Sequence, residues 1–268
     1  MNASSQSIRP DQVQFYQEHG AVFLPGLFRD CVEDITAGIE QNLRDPGQYA
    51  AENLAENESG RFFDDYCNWR RIPPFERVIQ QSWLARAAAQ LMQSQTVQFF
   101  HDHVLVKEPG TARITPWHQD APYYFVDGQQ TISFWVPVDP VGESTVRIIA
   151  GSHQWEKFVL PTRWLSNEKF YGDTDDYLPV PDPDAEPDKF QVLEWPMEPG
   201  DAVAFHFRAV HGARGNLSTR RRRAFSLRLL GDDARYISRP GPTSPPYPGH
   251  GMADGQVLRE DWFPFLLR

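Results

Sequence analysis

The chain has 268 residues, 40% of them hydrophobic and 23% charged, with a formal net charge of −10 and a sequence pI near 5.3. That apolar share supports a sizeable core and lies far from disordered compositions, whereas the acidic balance argues against a nucleic-acid partner, which needs many Lys/Arg contacts to phosphate. Two cysteines in no metal-spaced cluster, Cys31 and Cys67, argue against a disulfide framework, and a polar start at 1–10 without any apolar run near the ~18 residues of a membrane span points to a cytoplasmic protein with no membrane partner.

The first third reads as helical. Asp11 caps a helix over 12–19 that Gly20 ends, and an apolar strand at 21–24 runs into the turn Pro25-Gly26. Further helices are expected over 30–43, where Val32, Ile35, Ile39 and Leu43 follow helical spacing, and over 74–92. From Thr96 the period changes to two, giving strands over 97–107, 131–138, 146–149, 191–195, 202–207 and 223–230 separated by Pro/Gly/Asp turns. Helices followed by many short strands indicate a single α+β domain, 1–268, built on a β-sandwich or barrel. The basic run Arg220 to Arg223 leads straight into the last strand and reads as its start rather than as a nucleic-acid patch. Segment 166–189, acidic and aperiodic, is a candidate lid. The Pro/Gly-rich C-terminal extension, 238–268, ends in an apolar stretch that packs either against the domain or against a second subunit in a homo-oligomer.

The chemistry concentrates at Trp117-His118-Gln119-Asp120 and at His211-Gly212, 93 positions after His118. Two residues apart on an extended strand, His118 and Asp120 point the same way and can share a metal, with His211 completing one face of an octahedron. Two imidazoles and one carboxylate leave three adjacent positions open, the facial arrangement of non-haem Fe(II) oxygenases, whereas a structural zinc site closes all four positions. Arg222, 11 positions after His211, is a bidentate cation suited to a carboxylate such as the distal one of 2-oxoglutarate. His101 and His103 share a strand face and offer a minor alternative metal pair, without a carboxylate at matching spacing. His153 reads as a turn residue whose ring bonds backbone. Tyr123 is either a core aromatic or part of a substrate pocket.

Together with Ile149-Ala150-Gly151-Ser152-His153, Glu198-Pro199-Gly200-Asp201, the start Phe15-Tyr16 to Gly20, and Arg222-Arg223-Ala224, this pattern resembles the phytanoyl-CoA dioxygenase family over most of the chain. The resemblance implies a double-stranded β-helix (jelly-roll, cupin-like) core with flanking N-terminal helices. It further implies Fe(II) on His118, Asp120 and His211, and 2-oxoglutarate held by Arg222 with Trp135 and His103 beside it. O2 is then consumed, succinate and CO2 are released, and a C–H bond of a small-molecule substrate is hydroxylated. Ala213 stands where some members carry a serine. The retained carboxylate at 120 disfavours halogenation, which needs a small residue there. An acidic chain fits a small polar or anionic metabolite better than an acyl-CoA, with Arg61, Arg113, Arg147 and Arg208 as anion contacts to be tested. The rival readings are a cupin-like metal enzyme that does not use 2-oxoglutarate and a non-catalytic β-sandwich binding protein.

Overall fold

The protein is described here from a computed structural model, which covers residues 7–166, 168–172 and 176–268. Most of the polar start, and positions 167 and 173–175 of the candidate lid, lie outside the described residues. The architecture is α+β with antiparallel sheets, as expected.

The first helix, Pro10–His19, opens with Pro at its first position, where no N–H is needed, and Gln12 accepts the Arg9 N–H. Gly20 closes it at φ 75°, and its N–H returns to the Tyr16 carbonyl. Val32–Arg44 follows as expected. The helix expected over 74–92 is instead two, Pro73–Ile79 and Ser82–Met92, because Gln81 turns extended at ψ 117° and its carbonyl caps the second helix. The break lets each segment bury its own apolar side, Phe75 and Val78 in one and Leu84, Ala88 and Leu91 in the other.

The larger sheet runs in the order Ala21–Leu24, Ala202–Phe205, Thr131–Pro137, Arg222–Leu230, Val97–Lys107, Phe62–Tyr66, Ala51–Glu52, and Phe265–Leu267 also pairs with Val97–Lys107. Phe62–Tyr66 lies in the stretch read as helical; its Phe-Phe…Tyr content is that of a strand, and the Asp pair inside it masked the signal. On one face of the central strands Val104, Val106, Phe225, Leu227 and Leu229 pack against the helices. Each such fully buried side chain stabilises by roughly 1.5–3 kcal/mol. The smaller sheet, Thr115–His118, His211–Ala213, Val146–Ile149, Val192–Leu193, faces the other side.

The apolar C-terminus packs on its own domain. Phe263 is fully buried, and the Gln98 amide donates to the Leu258 and Phe263 carbonyls at 2.8 and 2.6 Å. No helix among the described residues is long and apolar enough to cross a membrane.

Candidate metal centre and cavity

A cavity of about 370 Å³ lies between the two sheets. His118 ends the strand Thr115–His118 and His211 begins His211–Ala213; the two are direct antiparallel partners, so their rings meet with centroids 4.2 Å apart. Asp120 does not continue the strand. At φ −71°, ψ −40° it opens the short turn Ala121–Tyr123, and this bend, rather than the shared strand face expected from the H-x-D spacing, swings its carboxylate onto the two imidazoles. Asp120 Oδ1 stands 3.6 Å from His118 Nε2 and 3.7 Å from His211 Nε2. One donor atom from each residue lies within 4.8 Å of the others, and all three residues are buried.

The tautomers follow from the backbone. His118 Nδ1 lies 2.8 Å from the Pro116 carbonyl and His211 Nδ1 3.0 Å from the Ala209 carbonyl. A carbonyl only accepts, so each Nδ1 carries a proton and Nε2 is the nitrogen that faces Asp120, the one left for a metal. Burial, then the neighbouring His118, pushes His211 down to about 3, so its ring stays neutral. For Asp120 burial alone would raise the pKa, but Arg228, then His211 and His118, hold it well below the usual range. Two imidazole nitrogens and one ionised carboxylate are a donor set that fits a divalent first-row metal.

Arg228 was not anticipated. It is 4% exposed, donates through Nη2 to Asp120 Oδ2 at 3.3 Å and through Nε to the Tyr124 hydroxyl at 3.1 Å, leaving Oδ1 for the cluster. The signal was present: an arginine inside the apolar strand Phe225-Ser226-Leu227-Arg228-Leu229-Leu230 is costly unless paired.

Toward the other end of the same strands the field is positive. Arg222 is 3% exposed and lies with its guanidinium carbon 5.6 Å from the Trp135 ring centre; among the described residues it has no acidic partner, a 3.5 Å contact to the Leu105 carbonyl is its one hydrogen bond, and Nε has none. Burial pulls it down to about 10. Directly opposite in register is Lys107, fully buried, whose ammonium reaches the Arg214 carbonyl at 3.1 Å and the Phe62 ring. Burial and Arg222 lower it well below the ordinary lysine range. A buried guanidinium with no carboxylate beside it among the described residues, and Lys107 opposite it, forms an anion well.

The remaining candidates divide. Trp135 and His103 both line the cavity, in one register row through Ser226. His103 Nε2 is 2.7 Å from Asp64 Oδ2. Tyr123 lines the cavity, and its hydroxyl both donates to the Thr162 carbonyl and accepts the Thr162 N–H, each at 2.8 Å. Of the segment expected to act as a lid, Phe170 reaches the cavity, but Thr162, Arg163 and Trp164, just before it, do so as well. His101 stands on the cavity face but outside the metal cluster. His153 bonds the Gln17 carbonyl, as a turn residue should. The four arginines named as anion contacts do not reach the cavity: Arg61 pairs with Glu52, Arg113 with Glu58, Arg147 with Asp184 and Glu194, and Arg208 bonds the Trp155 carbonyl.

The family model described as phytanoyl-CoA dioxygenase (PhyH) matches residues 16–224. A 1-deoxypentalenic acid 11-beta-hydroxylase from Streptomyces exfoliatus is 25% identical over 234 residues, covering 76% of this chain and 74% of that protein. Among solved structures, the non-heme alpha ketoglutarate dependent carbocyclase SnoK from nogalamycin biosynthesis superposes with a TM-score of 0.74 at 22% identity, covering 99% of both chains. The epimerase SnoN, in complex with Fe3+, alpha ketoglutarate and nogalamycin RO, does so with 0.76 at 20% identity over 96% of this chain and 97% of that one. With the family model spanning most of its length, and the metal-competent triad and anion well between its sheets, this chain belongs to the phytanoyl-CoA dioxygenase family of Fe(II)- and 2-oxoglutarate-dependent oxygenases.

Proposed function

We propose that this protein hydroxylates a C–H bond of a small molecule, with Fe(II) on His118, Asp120 and His211 and 2-oxoglutarate as co-substrate. The facing sheets are read as a double-stranded β-helix, the scaffold that presents such a triad. When bound, iron and 2-oxoglutarate supply the oxidising power, consuming O2 and releasing succinate and CO2. The chain's own residues do the rest. His118 and His211 each present Nε2 because Nδ1 is committed to backbone, and Arg228 turns the Asp120 carboxylate so that one oxygen serves the metal. Arg222 takes the distal carboxylate of the co-substrate, Lys107 stands opposite it in register, and Trp135 and His103 flank its chain. Tyr123 pins the 162–164 strap over the cavity and excludes water.

The observation that carries this reading is Arg222, a buried cation on the wall of the cavity with no acidic partner among the described residues, in a cavity that also holds a three-donor metal cluster. The substrate is small, because the cavity of about 370 Å³ must also admit the co-substrate. A carboxylate at position 120 fills the place a halide would need, which speaks against halogenation, and the 25% identical hydroxylase supports hydroxylation. The test is anaerobic addition of Fe(II) and then 2-oxoglutarate, following the weak visible charge-transfer absorption of the chelate. The wild-type protein develops the band and His118→Ala does not. Metal uptake without a band would remove the co-substrate from the reading.

A further inference from the structure

Asp64 is a buried carboxylate on the cavity wall that the mechanism above does not use. It stands in Phe62–Tyr66, beside Val97–Lys107 in the larger sheet, and both of its oxygens are engaged: Asn53 Nδ2 donates to Oδ1, and Oδ2 lies 2.7 Å from His103 Nε2. An ionised carboxylate only accepts, so Nε2 carries the hydrogen of that bond. The carboxylate thereby fixes both the orientation of the imidazole and its tautomer, as the buried acid of an acid–histidine dyad does. With the ring neutral, Nδ1 is left as an acceptor, and no group among the described residues bonds it. Nor is it enclosed: the ring lines the cavity and its side chain keeps 11% of its surface. The Nε2 of His101, the next residue on that face, is by contrast sealed within the packing.

Burying a carboxylate is costly unless it is bonded, and here its bonds leave a histidine with one nitrogen open to the cavity. Ionised 2-oxoglutarate has two carboxylates and a ketone, all acceptors, so the co-substrate that His103 flanks does not pair Nδ1. We infer that the Asp64–His103 pair orients the substrate: His103 Nδ1 accepts the hydrogen bond of a phenolic or enolic hydroxyl on a flat ring compound, with Asp64 as the positioning residue behind it. This inference rests on the Fe(II)/2-oxoglutarate reading and names its substrate class. The flat body follows from the wall, where Tyr66 meets the His103 ring edge-on at 5.4 Å and stacks on Tyr49 at 5.0 Å, and Trp164 and Phe170 line the cavity as well. The acidic hydroxyl follows from the acceptor, since a carboxylate on the far nitrogen raises the basicity of the near one and a more acidic O–H bonds it more strongly. His103 is two residues along the strand from His101, whose register partner Arg228 holds Asp120. The hydroxyl is therefore bound about 7 Å along the sheet from the level of the metal cluster, and the carbon oxidised lies about one ring away from the carbon that bears it.

The test is equilibrium dialysis of the Fe(II)- and 2-oxoglutarate-loaded protein, without oxygen, against 2-naphthol, 2-methoxynaphthalene, naphthalene and 2-naphthoate. These probes share one flat body and only the first donates a hydrogen. Wild type is expected to bind 2-naphthol about tenfold more tightly than the ether and the hydrocarbon, the factor of one hydrogen bond to an otherwise unpaired acceptor. His103→Phe keeps a flat ring without the acceptor and erases that preference. Asp64→Asn leaves the imidazole in place without its carboxylate and at least halves it. A pair that serves the fold alone would weaken all four probes alike in both variants, and that result overturns the inference. So do equal affinities in wild type, no binding of any probe, a preference that survives in His103→Phe, or 2-naphthoate binding more tightly than 2-naphthol, which would make the ring a donor. The anaerobic charge-transfer band, recorded before any probe is added, separates the two failures. Its absence in wild type strikes the co-substrate reading, whereas its presence with indifferent probes strikes the Asp64–His103 assignment alone.

Discussion

Replacing Arg222 separates a binding residue from a structural one, because the two roles predict opposite signs. The guanidinium is 3% exposed and unopposed among the described residues: Asp139, the acid whose field it feels, is engaged by Arg223 at 2.6 Å, and Arg222 itself keeps a 3.5 Å contact to a carbonyl and the face of Trp135. A buried charge in that condition destabilises its own fold, and an apolar side chain of similar length is neutral or stabilising in its place. Arg222→Met is therefore expected to unfold in urea at the same or a higher midpoint than wild type when 2-oxoglutarate is absent. Once the co-substrate binds the balance reverses. Truncating one partner of a buried, hydrogen-bonded charge pair costs about 3 kcal/mol, near a hundredfold in Kd. Wild type at a hundred times its Kd gains about 2.7 kcal/mol of stability from the ligand, and Arg222→Met at the same concentration gains well under 1 kcal/mol. The assay is anaerobic urea denaturation of the Fe(II)-loaded protein with and without 2-oxoglutarate. A variant that is destabilised without ligand but binds 2-oxoglutarate as wild type does would refute the anion-well argument.

Four further outcomes follow from the geometry. Asp120→Ala removes the one anionic donor and leaves Arg228 unpaired, so Fe(II) affinity falls at least a hundredfold by titration and the fold loses on the order of 3 kcal/mol. A Cβ on Gly212 would stand 2.9 Å from the Thr115 carbonyl in the strand that carries His118; Gly212→Ala is expected to spread the two histidine strands and lower metal affinity in the same titration, at a stability cost of about 1–3 kcal/mol. Tyr123→Phe strips both the Thr162 N–H and its carbonyl of a partner, and hydrogen exchange at Thr162 should accelerate by about tenfold or more. Burial lifts Asp102 to about 6 although the Trp69 and Asn68 N–H groups favour its ionised form. A carboxyl that binds its proton more tightly folded than unfolded costs stability as pH rises, here between about 4 and 6 and by at most about 3 kcal/mol. Urea midpoints across that window should show Asp102→Asn with a smaller decline than wild type.

How much of this could be read from the chain depended on whether the signal was local. The strands Val97–Lys107 and Arg222–Leu230 declare themselves by alternation, and the triad by residue type, because a facial metal site needs two imidazoles and a carboxylate. The strands that carry the two histidines are short, Thr115–His118 and His211–Ala213, and exist through pairing with each other, so no window of sequence could announce them. The H-x-D spacing picked out residues that do come together, but for an incomplete reason, since Asp120 reaches the cluster through a turn. Arg228, Lys107 and Asp64 were legible as charges at inward positions of apolar or aromatic strands, but their partners come from elements far away in the chain. The four arginines outside the cavity show the converse. Charge alone marks a candidate, and the acid that pairs with Arg61, Arg113 or Arg147, or the carbonyl that Arg208 bonds, is a tertiary fact.

The division of labour between the sheets has a mechanical consequence. Arg222, Arg228, His101 and His103 all project from the paired central strands of the larger sheet, whose opposite face is locked into the main core. His118 and His211 project from the smaller sheet, whose strands are two to four residues long. The distance between metal and anion well is thus a distance between layers, bridged near the metal by Asp120, which leaves the small sheet at its turn and meets Arg228 on the large one. On the proposed function, a chelating co-substrate that spans metal and Arg222 is sensitive to that gap in a way that either half-site alone is not. Arg228→Lys, which keeps the charge but cannot hold Asp120 and Tyr124 together, should leave Fe(II) binding within about threefold of wild type while weakening 2-oxoglutarate by tenfold or more. Equal loss of both affinities would mean that Arg228 serves the metal ligand only and that the layers are registered by something else.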